Sequence, residues 1–409
     1  MLTESLLEDA RAIADRIVTL RRAIHAEPEL GLDTPKTRDK VRVELADLPL
    51  EWREGPSTTG AVAILKGGRP GPAVLLRGDM DALPMAEETG LEFASTVPGR
   101  MHACGHDTHT AMLAGAARIL AARQGELAGE IRFMFQPGEE GFHGARFMLE
   151  DGLLGGDGDY PLPEAAFAMH IMPNAAHGVF GSRDGALLAA ADALEITVRG
   201  RGGHASMPHD TRDPVPVACE IVTAIQTIVT RRFNAAEAVV VTVTQLDAGS
   251  AHNIIPDTVR LRGTVRTLSP ENRARIQEEI ARLAKGIAQA HGMEAEPVFT
   301  PGFPPTINDP RAVSLGEAVA NGLGANESGE PNQPFLRMAH PIMGAEDFSY
   351  VLQKIPGAMF FLGVAREGED WSQCCGLHSS KMIVDEAVLP RGAAFLAGCA
   401  TRFLAQGWN

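Results

Sequence analysis

Cysteine is scarce in this chain of 409 residues: only Cys104, Cys219, Cys374, Cys375 and Cys399 occur. An odd set spread so thinly excludes a disulfide framework and points to reduced thiols in a cytoplasmic compartment. No apolar run reaches the roughly 18 residues that a membrane-spanning helix needs. The first residues carry Glu4, Glu8 and Asp9 in place of a basic region and an apolar core, so they do not read as a secretion signal. Positive charge is also in deficit. Thirty-seven Lys and Arg stand against 52 Asp and Glu, a net charge of −15, so bulk charge repels phosphate backbones and anionic lipid alike. Neither nucleic acid nor a membrane is expected as a partner. Repeats and low-complexity tracts are absent.

What the chain does have is length beyond one core and 44% hydrophobic residues to fill its interior. Leu6, Ala10, Ile13, Ile17, Leu20 and Ile24 recur at helical spacing and predict one opening amphipathic helix. Ala61–Leu65, Ala73–Leu76, Ile131–Phe135 and Ala165–Met169 are short apolar runs of the kind found in buried strands. With the helical stretch Thr108–Ala122 among them, they predict an α/β sheet covered by helices on both faces. The texture changes near Gly185. Leu194–Arg199, Val239–Leu246 and Thr258–Arg266 alternate like half-exposed strands, while Pro214–Val229 and Glu271–His291 read as helices. Pro297, Pro301, Pro304 and Pro305 read as a return linker, after which the α/β texture resumes. The predicted organisation is an α/β domain of residues 1–185 and 305–409, interrupted by a smaller α+β domain of residues 186–304.

Chemistry concentrates in the α/β half. Met101-His-Ala-Cys-Gly-His-Asp-Thr-His109 lies in a loop before a helix, and Cys104 and His106 flank a glycine that lets both converge. Thiolate and imidazole suit zinc and its neighbours, although a polar loop with a structural thiol is the plainer alternative. The apolar strand Phe133–Phe135 runs into Glu139 and Glu140, one able to ligate a metal while the other addresses water. An exposed acidic turn is the competing account. His170 ends another apolar strand, where a lone histidine is often a core residue. His378 precedes a late helix. Asp81, in Gly78-Asp-Met-Asp81, either accepts from a ligand imidazole or sits in a solvated turn.

These blocks, together with Arg77–Pro84, Gln136–Glu140, Gly202-Gly-His-Ala-Ser206, His252-Asn-Ile-Ile-Pro256 and Gly344-Ala-Glu-Asp-Phe348, appear in a fixed order. In this the chain resembles the hippurate hydrolase and N-acyl-L-amino-acid amidohydrolase family. That family includes plant auxin-conjugate hydrolases and is related to aminoacylase and carboxypeptidase G. The resemblance runs from about Arg22 to Glu386. It implies a dinuclear-metal α/β domain and an inserted lid that mediates a homodimer. It also implies Cys104, His106, Glu140, His170 and His378 as ligands of two divalent ions (zinc, manganese, cobalt or nickel), with Glu139 as general base. His204 resembles a lid histidine that donates to the developing oxyanion, often across the dimer. Asn253 and Arg266 resemble positions that hold the substrate α-carboxylate. The implied reaction is hydrolysis of a small-molecule N-acyl amino acid to a carboxylate and a free amino acid.

Three other readings compete. A dipeptidase or carboxypeptidase would use the same site, since a peptide is an N-acyl amino acid. A cysteine amidase would use Cys104 as nucleophile. A degenerate binding protein is disfavoured by the presence of Glu139 and all five ligand candidates. Cys374 and Cys375 depart from the family pattern and are read as packing thiols.

Overall fold

The short apolar runs become strands because each is buried on both faces and bounded by glycine or proline. The structure, a computed structural model, describes residues 2–324 and 333–408. Among the described residues, eight strands form one mixed sheet. Their order is Leu50–Glu54, Ala61–Lys66, Ala128–Gln136, Arg69–Asp79, Ala165–Met172, Gly357–Gly363, Phe180–Ser182 and Phe335–Arg337. The middle of the sheet is parallel: Arg69–Asp79 pairs with Ala128–Gln136 and Ala165–Met172, and the last of these pairs with Gly357–Gly363. Parallel pairing brings the carboxyl ends to one edge, where ligand sites of α/β sheets are built. Asp79 lies opposite Gln136 there, and His170 opposite Phe361.

Helices His106–Ala122 and Leu389–Gln406 pack on each other and on this sheet. Phe395 stacks on Phe180 at 4.3 Å and meets Phe360 edge-on at 5.0 Å, joining the last helix to two strands. Burying each such ring contributes roughly 1.5–3 kcal/mol. The predicted opening helix is two helices, Leu2–Ala12 and Ala14–His25, because Ile13 leaves the helical region at φ −112°. Its apolar stripe nevertheless continues across the break, with Leu6, Ala10, Ile17, Leu20 and Ile24 all buried.

Residues 188–306 and 341–346 form a second unit, and residues 1–187, 307–340 and 347–409 the first. Inclusion of 341–346 was not expected from the sequence. It follows from a bridge between Leu188 and Ile342 and from the Ala189 amide, which donates to the Gly344 carbonyl at 2.8 Å. Four antiparallel strands make the second unit's sheet, in the order Val239–Ala248, Thr258–Thr267, Ala190–Arg199 and Glu294–Thr300. Alternation places Leu194, Ile196, Val198 and Leu261 on one face. Ile221 and Ile225 of helix Pro214–Arg232, and Ile276 and Ile280 of helix Pro270–Ala290, cover it. Asp213 and Ser269 cap these helices by accepting from Val215 N at 3.0 Å and Asn272 N at 3.2 Å, each just before a proline in the first turn. Pro297 is not linker but strand. It sits in the outermost strand, where a missing N–H breaks no ladder on the open side.

Candidate metal centre

The loop before helix His106–Ala122 turns at Gly105, whose φ is +80° and whose hypothetical Cβ would stand 2.6 Å from Ile171 Cγ1. Only glycine meets both conditions. The turn aims Cys104 and His106 into one space, with Cys104 Sγ 3.4 Å from His170 Nε2. Another left-handed glycine, Gly138 at φ +72°, swings the chain from the end of strand Ala128–Gln136 into Glu139 and Glu140. Glu140 Oε1 lies 3.3 Å from His378 Nε2. His378 itself holds φ +62°, strained for a non-glycine residue, and its amide donates to the Ala103 carbonyl at 2.8 Å. The residues proposed from sequence thus converge. Ligand atoms lie within 4.8 Å of one another in three overlapping groups: Cys104, His106 and His170; Cys104, Glu140 and His378; His106, Glu139 and Glu140.

His106 has no accessible surface and neither ring nitrogen has a hydrogen-bond partner, although Asp79 and Asp81 carboxylates stand 3.6 Å from them. A buried imidazole in that state lacks a partner that the protein does not supply. Burial opposes its charging, but the charges of Asp79 and Cys104 hold its pKa well above the usual range. The field at this point therefore favours a cation, whether proton or metal. Burial pushes the Cys104 thiol up to about 12, against the pull of His106, so a thiolate needs a cation beside it. Burial also raises Glu140, yet His378 and His106 outweigh it and keep the carboxyl below its ordinary range. Glu140 Oε1 is another buried atom without a hydrogen bond. Soft sulfur, borderline imidazole and hard carboxylate donors meeting around orphaned atoms fit bound divalent metal.

Asp81 does more than the sequence suggested. Its Oδ1 is 3.6 Å from His106 Nδ1, beyond hydrogen-bond reach, while its two oxygens accept the backbone amides of Glu139 at 2.9 Å and Glu140 at 3.1 Å. Beneath it lies a network that the sequence reading did not place. Arg77 donates to Asp79 at 2.7 Å, to Gln136 at 2.8 Å and to Asp347 at 3.1 Å, all buried. Burial raises the Asp79 pKa, but Arg77, His106 and His109 hold it well below the carboxylate range. Asp79 was visible only as the neighbour of Asp81. Nothing in sequence spacing ties Arg77 to Asp347, 270 residues away. Cys374 and Cys375 are not packing thiols: one is half-buried, the other exposed, and neither belongs to a ligand group.

In the second unit, His204 pairs with Ile254 in a two-residue ladder, and the Asn253 carbonyl accepts from Ala205 N at 3.1 Å. Both His204 and Asn253 are exposed. The Ser206 amide donates to His204 Nδ1 at 3.1 Å, so a neutral ring carries its hydrogen on Nε2, facing away as a donor. Arg266 belongs to a different ladder, in strand Thr258–Thr267. It lies opposite Ala191, whereas His204 follows Arg199, the residue opposite Thr258. Eight residues of strand separate those pairs, about 26 Å at ~3.3 Å per residue.

Residues 75–402 match the profile of peptidase family M20/M25/M40. The chain belongs to that family. It is 39% identical over 406 residues to thermostable carboxypeptidase 1 of Saccharolobus solfataricus, covering 98% of this chain and 99% of that one. It is 37% identical over 392 residues to an N-acetylcysteine deacetylase of Bacillus subtilis, with coverage of 95% and 97%. The crystal structure of the Bacillus subtilis YXEP protein, described as a dinuclear metal binding peptidase from the M20 family, superposes with a TM-score of 0.82. It is 34% identical and covers 97% of this chain and 99% of its own. This M20-family chain is a metal-dependent hydrolase of the amidohydrolase and peptidase type, and its candidate ligand groups fit divalent metal. No helix among the described residues is long and apolar enough to cross a membrane.

Proposed function

We propose that the protein hydrolyses the amide bond of N-acyl-L-amino acids, releasing a carboxylate and a free amino acid. The observation that carries this reading is the orphaned, fully buried His106, which shares one ligand group with Cys104 and His170 and another with Glu139 and Glu140, while His378 joins Cys104 and Glu140 in a third. Cys104, His106, Glu140, His170 and His378 would hold two divalent ions, which supply Lewis-acid polarisation of water and of the substrate carbonyl. Zinc, manganese, cobalt and nickel all suit this donor mixture. Glu139 takes the proton of the attacking water and returns it to the departing amine, which leaves poorly until protonated. His204 Nε2–H faces outward as a donor to the developing oxyanion. Asn253 and Arg266 bind the α-carboxylate, for which a guanidinium is well shaped.

About 26 Å of strand, at ~3.3 Å per residue, separates the Ala191–Arg266 pair from the Arg199–Thr258 pair that precedes His204 in the chain. That favours a homodimer in which they come from different subunits. A cytoplasmic location accords with five unpaired cysteines.

A second reading, a dipeptidase or carboxypeptidase, draws support from the carboxypeptidase relative. A cysteine amidase is disfavoured by the high pKa of the buried Cys104 thiol. The test is chelation followed by readdition of single metals, assayed on N-acetyl and N-benzoyl amino acids and on dipeptides. Loss and metal-specific return of N-acyl cleavage supports the proposal. Activity that survives chelation points to the thiol, and a preference for dipeptides to the peptidase.

A further inference from the structure

His109 is buried, lies three residues beyond His106 on the same helix, and has no part in the proposed chemistry. Its ring stands edge-on to His170 with centroids 4.5 Å apart. Both of its nitrogens are engaged. Nδ1 is 2.6 Å from Asp79 Oδ1, and Nε2 is 2.9 Å from the backbone nitrogen of Ile171. An amide N–H can only donate, so His109 Nε2 is an acceptor and the ring hydrogen resides on Nδ1, donated to Asp79. The other end of the Ile171 residue is fixed as well: its carbonyl oxygen lies 2.7 Å from His170 Nδ1. A carbonyl can only accept, so His170 carries its hydrogen on Nδ1 and presents the Nε2 lone pair towards Cys104 Sγ at 3.4 Å.

We infer that His109 is a positioning residue which, anchored by Asp79, holds the Ile171 backbone and through it sets the tautomer and aim of His170. The direction of donation is unbroken, from His109 Nδ1 to Asp79, from Ile171 N to His109 Nε2, and from His170 Nδ1 to Ile171 O. Asp79 is in turn fixed by Arg77 at 2.7 Å, so the chain of bonds begins at a buried and compensated charge. Without the His109 acceptor, the Ile171 amide would lose its partner at the end of a parallel strand. The carbonyl that selects the His170 tautomer would then be free to turn. Partners that orient ligand imidazoles in this way typically govern metal affinity by 10–100-fold.

The inference rests on the reading of His170 as a metal ligand, and the experiment separates the two. In the metal-free, ¹⁵N-labelled native protein, imidazole nitrogen shifts are expected to show both His109 and His170 protonated on Nδ1. A His109 ring protonated on Nε2 overturns the inference. Metal titration of His109→Leu, with far-UV circular dichroism as a check of folding, is expected to show one of the two ions bound about 10–100-fold more weakly. His109→Gln keeps an acceptor for the Ile171 amide and is expected to recover part of that loss; it also serves should the leucine variant not fold. Wild-type affinity in a folded His109→Leu protein overturns the inference, provided that His170→Ala loses an ion. If His170→Ala binds both ions normally, the ligand reading itself falls.

Discussion

Asp81 holds Glu139 by its backbone: one carboxylate oxygen accepts the Glu139 amide at 2.9 Å, and the other accepts the Glu140 amide at 3.1 Å. A single buried carboxylate thereby fixes the turn that carries both the proposed base and a proposed ligand. Asp81→Ala leaves two amides at the site without their acceptor, a cost of about 1–3 kcal/mol each where no other partner replaces it. It is expected to reduce kcat at least 10-fold and to weaken metal binding, with Asp81→Asn, which retains one acceptor oxygen, falling between. Steady-state kinetics beside metal titration checks this.

Much of the centre is legible in the sequence because its signals are local. Glycine between Cys104 and His106, an apolar strand running towards Glu139-Glu140 and another carrying His170 each mark a place where a ligand could stand, with a plainer alternative beside it; their occurrence in one fixed order is what resembles a known family and singles them out. Asp81 was legible as a carboxylate near a ligand imidazole, but its hold on the Glu139 and Glu140 amides was not, since that depends on the Gly138 turn. The Arg77–Asp79–Asp347 network was not legible at all, because only the sheet topology brings residue 347 beneath residue 77. Pro297 misled because a proline suits a loop and an edge strand equally, and sheet order decides between them.

A pH dependence of stability follows from His25. Burial lowers its pKa, but Asp107 at 2.8 Å and Glu87 at 3.2 Å outweigh that and the nearby Arg21, raising it to about 9. A raised folded-state value means that the stabilisation is fully present below the unfolded pKa of about 6.5 and is lost as pH climbs through about 9. The amount is on the order of 3 kcal/mol. Denaturant unfolding between pH 6 and 10 should show this decline, and His25→Gln should flatten it.

Cys374 and Cys375 lie just before His378, yet neither falls in a ligand group. The double serine variant is expected to keep its full metal content and a stability within about 0.5 kcal/mol of native. Elemental analysis and thermal unfolding test this directly.

Phe395 joins the last helix to the sheet through Phe180 and Phe360. Phe395→Ala should cost about 3–5 kcal/mol, seen as a lower denaturant midpoint. Metal affinity should change little under conditions where the variant remains folded.

In the proposed mechanism Glu139 moves the proton while other residues hold the metal. Glu139→Gln removes the base and keeps the shape, so metal content and turnover should be measured on the same preparation. Two ions per chain are expected, as in the native protein, with turnover of an N-acyl amino acid reduced at least 10²-fold. Native turnover in the metal-loaded Glu139→Gln protein would contradict the mechanism.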